Sequence, residues 1–122
     1  MTVTTVTAGG IRQVQIETVA PTGQLSTAST VVVTGSEMDA RPWQSLAYTV
    51  VVATNAIKWS VWAANASDYS DEVAVLSAAT VASGATSSYA TTQAAYSYYR
   101  VKITDDSGGV HGTATIRGVM KS

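Results

Sequence analysis

The sequence predicts an all-β protein, an antiparallel two-sheet β-sandwich of about eight to nine strands. Three observations carry that expectation. β-Branched residues and tyrosine fall in short runs separated by Gly, Asn, Asp and Ser, the spacing of strands and tight turns. Within several runs apolar and polar residues alternate, so one face of the strand enters a core and the other faces solvent or a partner. One run, 45–53, is apolar on both faces beyond Tyr48, through Val50, Val51 and Val52, which predicts a central strand covered on both sides. Two sheets packed face to face satisfy all three.

In chain order the predicted strands are 2–7, 11–19, 29–34, 45–53, 57–63, 72–77, 86–91, 96–104 and 111–119. The first forty residues are rich in Thr, poor in aromatics and broken by glycines. They read either as edge strands of the sandwich or, for residues 1–10, as an extended N-terminal arm. In 11–19, Val14 and Ile16 alternate with Gln13, Gln15 and Glu17, the pattern of a half-buried strand. In 57–63, Ile57, Trp59, Val61 and Ala63 point one way and Lys58, Ser60 and Trp62 the other. In 98–103, Tyr99, Val101 and Ile103 alternate with Tyr98, Arg100 and Lys102. Breaks fall at Ala8-Gly9-Gly10, Pro21-Thr22-Gly23, Gly35-Ser36, Thr54-Asn55, Asn65–Tyr69, Ser83-Gly84 and Asp105–Gly109, all with turn chemistry. No helix is needed, no internal repeat is evident, and residues 1–122 read as one domain.

Composition narrows the function. Charged residues make up 12% of the chain, seven basic against eight acidic. No run of like charge could track a phosphate backbone or an anionic bilayer, so neither nucleic acid nor membrane is an expected partner. With so few charges, much of the surface must be Thr, Ser, Ala and Tyr, which suits permanent burial against neighbours. The sequence has no cysteine, which excludes disulfides, thiolate metal sites and cysteine nucleophiles. The segment Met1-Thr2-Val3-Thr4-Thr5-Val6 has neither a basic n-region nor an apolar h-region, and no stretch approaches the roughly 18 apolar residues that span a bilayer. The expected product is made in a host cytoplasm and leaves it only within a larger particle.

From Trp43 to Lys121 the order of segments carries a family likeness. Tyr48-Thr49-Val50-Val51-Val52 is followed by Ile57-Lys58-Trp59-Ser60-Val61-Trp62-Ala63-Ala64-Asn65, then by Asp68-Tyr69-Ser70-Asp71-Glu72-Val73. Tyr96-Ser97-Tyr98-Tyr99-Arg100-Val101-Lys102-Ile103 comes next, and Gly112-Thr113-Ala114-Thr115-Ile116-Arg117-Gly118 closes the series. This resembles small jelly-roll proteins of tailed-bacteriophage particles and, more distantly, galactose-binding-like sandwiches of the discoidin type. In those sandwiches a strand of the form W-x-V-x-x-x-N precedes a loop, and a late strand Y-x-R-V-K-I crosses the core. The resemblance implies a jelly-roll fold and a virion structural role, as a capsid decoration (cement) protein or a head or tail fibre component. It further implies a homo-oligomer, with a trimer the expected form, bound to the major capsid protein or another virion protein. Discoidin-type relatives often bind sugars or calcium, and the loop cysteines usual in them are missing here.

Residues able to carry chemistry are few. His111, the only histidine, lies in the turn Gly109-Val110-His111-Gly112 with no nucleophile elbow near it, so no catalytic residues are expected and the protein is read as a non-enzyme. Asp68, Asp71 and Glu72 form the densest acidic cluster, but it lacks the glycine and the ligand regularity of a calcium loop. They remain weak metal candidates, more simply read as solvated turn carboxylates, and no cofactor is expected. The outward aromatics are more informative. Trp43, Trp62 and Tyr98, interleaved with Arg100 and Lys102, are the candidates for anchoring a protein contact or stacking on a sugar ring. The expected function is therefore a bacteriophage capsid decoration protein acting through protein–protein contacts. The alternative is a carbohydrate-binding, adhesin-like module that recognises a glycan through the same aromatics.

Overall fold

The structure, a computed structural model, describes residues 2–8, 11–19, 30–33, 36–41, 44–105 and 113–121. Ten strands form among them: β1 (Thr2–Ala8), β2 (Ile11–Val19), β3 (Val31–Val32), β4 (Met38–Asp39), β5 (Ser45–Thr54), β6 (Ile57–Ala64), β7 (Val73–Val81), β8 (Thr86–Thr91), β9 (Tyr98–Asp105) and β10 (Thr113–Lys121). They make two antiparallel sheets, the first in the order β1-β2-β10-β5-β8, the second β3-β9-β6-β7 with β4 also pairing β9. The pairings nest: β2 with β10, β3 and β4 with β9, β5 with β8, and β6 with β7. A single long hairpin rolled over itself produces that nesting, and it is jelly-roll connectivity with β1 added at one edge. The all-β sandwich expected from the alternation is the fold observed.

Alternation builds the core directly. On β5, Leu46, Tyr48, Val50 and Val52 are buried while Ser45, Ala47, Thr49 and Val51 are partly exposed. Opposite them the second sheet contributes Ile57, Trp59, Val61 and Ala63 from β6 and Tyr99, Val101 and Ile103 from β9, all buried. The two inner faces merge into one cluster that also holds Met38, Ile116 and Met120. Trp59 satisfies its indole N–H inside this core by donating to Ser87 Oγ of β8 at 3.3 Å, a polar link across the two layers.

Two local features depart from the simplest reading. Of the predicted strand 29–34, Val31–Val32 forms β3, and a second short strand, β4, pairs with the same β9 at Met38–Asp39, outside the predicted range. Ser36 fills the gap: its hydroxyl donates to Val33 O at 2.6 Å and accepts the Val101 N–H at 3.0 Å, doing the work of a missing strand residue. The Tyr48 hydroxyl then donates to Ser36 O, tying this edge to the first sheet. Strand β5 is central, as expected, between β10 and β8, but the expectation that both its faces are covered is corrected. The second sheet covers one face, and Val51 on the other is only half-buried because the described chain passes over it nowhere.

The turns use the residues the sequence marked. Asn55, between β5 and β6, adopts φ 56°, and Gly84, between β7 and β8, adopts φ 79°, both in the left-handed region where Asn and Gly are tolerated. Residues 2–8, read as an edge strand or an arm, pair along their whole length with β2, from Thr2 opposite Glu17 to Ala8 opposite Ile11.

Candidate functional site

The outward face of the second sheet gathers most of the residues singled out by sequence. Because Tyr99, Val101 and Ile103 face the core, Tyr98, Arg100 and Lys102 line up along the opposite side of β9. Register places Trp62 of β6 opposite Arg100, and Ser60 opposite Lys102. Trp62 donates its indole N–H to Ser60 Oγ at 2.9 Å, which ties the ring to its own strand.

The connection between β6 and β7, residues 65–72, folds back over this face. Its shape comes from its own carboxylates. Asp71 accepts the N–H groups of Asn65 at 3.2 Å and Ala66 at 3.0 Å, and Asp68 accepts Ser70 N–H at 3.0 Å, which holds the Asp68 carboxyl below its ordinary pKa. Asn65 Oδ1 accepts the Ser97 N–H, fastening the loop to the start of β9. Tyr69 takes the left-handed backbone at φ 60°, rare for an aromatic residue, and this turns its ring down onto the sheet. There it is buried, and its hydroxyl donates to Tyr99 O at 2.9 Å. Burial pushes the Tyr69 hydroxyl pKa well up, so it stays protonated and can serve as that donor.

Glu72 closes the arrangement. It accepts from Arg100 Nε at 3.0 Å and Nη2 at 2.8 Å, and from Lys102 Nζ on its other oxygen at 2.5 Å. All three side chains are less than a fifth exposed. Desolvation opposes ionisation of Glu72, but the hydrogen bonds and positive charges of Lys102 and Arg100 outweigh it and hold its pKa below the ordinary glutamate value. Each cation also lies on an aromatic ring: Arg100 is 4.1 Å from the centre of Tyr69 and Lys102 is 4.1 Å from that of Trp62. Tyr69 and Tyr98 meet at 6.2 Å, and Arg41, paired with Asp39, lies 5.2 Å over Tyr98. The result is a continuous strip, Arg41, Tyr98, Tyr69, Arg100, Glu72, Lys102 and Trp62, in which each cation has a carboxylate partner within the chain and Glu72 serves two.

Trp62, Tyr98, Arg100 and Lys102 are thus brought together, whereas Trp43 and His111 lie outside the described residues. Asp68, Asp71 and Glu72 do not act as one cluster, since the first two hold the loop backbone and Glu72 leaves for β9. Among the described residues no group of three or more His, Cys, Asp or Glu side chains meets in a geometry able to hold a metal ion. Tyr69 and Arg41 were not singled out by sequence. The one signal for Tyr69 was an isolated aromatic in an otherwise polar connection.

The outward face of the first sheet is different in character. It carries two adjoining shallow cavities of about 210 Å³ each, which share Ala47 and Val119 and are bordered by Arg117 and Lys121. Small side chains form the floor, and no acid–base pair faces either cavity among the described residues.

Fold and site together define a jelly-roll sandwich whose second sheet carries an outer face with its charged side chains paired within the chain. No family model matches the sequence, and no curated protein matches it. Solved structures that share its fold include two of comparable length. One is from Bacillus endospore appendages, described as a family of disulfide-linked pili, at 14% identity and a TM-score of 0.54, covering 100% of this chain and 91% of that one. The other is the SPBc2 prophage-derived protein YomS, at 8% identity and a TM-score of 0.52, covering 96% of this chain and 99% of that one. At such identities the likeness is one of fold.

Proposed function

We propose that this chain is a non-enzymatic structural subunit of a virion or other extracellular assembly. Within that class the reading is a bacteriophage capsid decoration protein that binds the coat and its own copies through protein–protein contacts. One observation carries the proposal: the polar groups with chemical potential on the second sheet are spent on one another, Glu72 against Arg100 and Lys102, Asp71 against the loop backbone. That leaves, among the described residues, a surface suited to contact. The low-charge surface supports the same reading, as do the fold neighbours, one a pilus and one prophage-derived.

The pilus is described as disulfide-linked, and the present sequence has no cysteine. Assembly of this chain must then rest on buried area, on the order of 1,600 Å² for a standard interface, multiplied by valency. The test is immunogold electron microscopy of particles from the source organism with an antibody to this chain. Regular labelling of particle surfaces is expected; protein found only in the unassembled fraction overturns the reading. Glycan-array binding abolished by Trp62→Ala would replace it with the carbohydrate-binding alternative.

A further inference from the structure

From Val73 to Tyr99 the chain contains no Asp, Glu, Lys, Arg, His or Pro. The tertiary structure gives this neutral stretch a location. It supplies both β7, the last strand of the second sheet, and β8, the last strand of the first, so one entire flank of the sandwich is built from it. Outer strands with unpaired backbone groups are normally protected from pairing by lysine, proline, inward charges or bulges. This flank has no charge and no proline on either strand.

The two strands are not equivalent. Pairing of β7 with β6 shifts register between Trp59 and Val61 and again between Val61 and Trp62, and such irregularity bends a strand away from flat pairing. Strand β8 pairs with β5 in unbroken register from Leu46 opposite Thr91 to Val51 opposite Thr86. It is uncharged and, among the described residues, has β5 as its only strand partner. Its residues Thr86, Ser88 and Ala90 are exposed.

We infer that β8 is an assembly edge whose occupant is β8 of a second copy of this chain, paired antiparallel about a two-fold axis. This inference rests on the reading of the chain as an assembling subunit and names the surface it uses. Strand count favours the two-fold. The first sheet has five strands, all antiparallel to their neighbours, so its outer strands β1 and β8 run in the same direction. Copies joined head to tail through them would meet in a parallel junction, whereas β8 against β8 meets antiparallel, the commoner pairing and an isologous, closed contact. It would also continue the sheet across both copies and remove the edge from solvent.

The experiment compares the solution mass of the native chain, by light scattering on a sizing column, with that of Ser88→Lys combined with Ala90→Lys. Both substitutions are at exposed positions, and an unchanged thermal melt of the monomeric unit verifies folding. The native chain is expected at twice the monomer mass or an even multiple, and the lysine variant at half the native mass. As an independent measurement, Ser88→Cys, Thr86→Cys and Ala90→Cys provide single thiols in a cysteine-free chain. At least one should form an intermolecular disulfide on mild oxidation, because residues facing across an antiparallel pair lie within bridging distance, while Ser77→Cys on β7 should not. A native monomer overturns the inference. So does a multimer whose mass the lysines leave unchanged, and that second outcome leaves the assembly reading intact, since particle labelling tests it separately.

Discussion

The guanidinium of Arg100 lies 4.1 Å from the centre of the Tyr69 ring while its Nε and Nη2 donate to Glu72. A loop residue with a left-handed backbone and a strand residue on the outer face of a sheet thereby hold each other, and the loop becomes part of the sheet surface. Replacing Tyr69 by Phe keeps the ring beneath Arg100 and removes only the hydroxyl bond to Tyr99 O. The expected loss is about 1 kcal/mol in urea denaturation. Tyr69→Ala removes the ring as well and should cost about 3–5 kcal/mol, with protease cleavage appearing first within 65–72.

Stability should fall in acid through Glu72. Its folded pKa lies below the ordinary value of about 4.3, so its contribution is complete above that value and is lost as pH falls through the lower, folded pKa. Glu72→Gln should be less stable than the native chain at neutral pH by about 2 kcal/mol, and the two should converge in acid. Denaturation midpoints measured from pH 7 to pH 2 test this, and curves that stay parallel would remove Glu72 as the cause.

Gly118 stands opposite Tyr48 in the β10–β5 register, and a Cβ built on it would overlap the Met38 methyl and lie 3.1 Å from the Tyr48 ring. The Met38 methyl fills the place of a side chain there, and the Tyr48 ring borders it. Gly118→Ala should therefore destabilise by about 1–3 kcal/mol through overpacking, although alanine suits a strand better than glycine does. A thermal melt gives the answer, and an unchanged midpoint would mean Met38 yields freely.

Ser36→Ala should be costlier than most surface substitutions. It removes a side chain that links Val33 to Val101 of β9 and leaves Val101 N–H buried without its acceptor. About 1–3 kcal/mol is expected, with faster hydrogen exchange at Val101 as the local readout.

Much of this architecture is legible in the residues themselves. Alternation in 57–63 and 98–103 assigned Trp59, Val61, Tyr99 and Val101 to the core and Trp62, Tyr98, Arg100 and Lys102 to the outside, because side-chain direction in a strand is set by local backbone geometry alone. Turn chemistry at Asn55 and Gly84 is equally local, a matter of which residues accept positive φ.

What only the tertiary structure decided involves partners distant in the chain. Sequence grouped Asp68, Asp71 and Glu72 by proximity, but Glu72 belongs with Arg100 and Lys102, reached only when β6 and β9 pair and the loop folds back. It left 1–10 open between an arm and an edge strand, and pairing with β2 now describes residues 2–8. The half-exposed outer face of β5 was likewise hidden, since Val51 is apolar whichever surface covers it. Periodicity fixes which way a side chain points; what it meets depends on the order in which the strands assemble, and that order is a property of the whole chain.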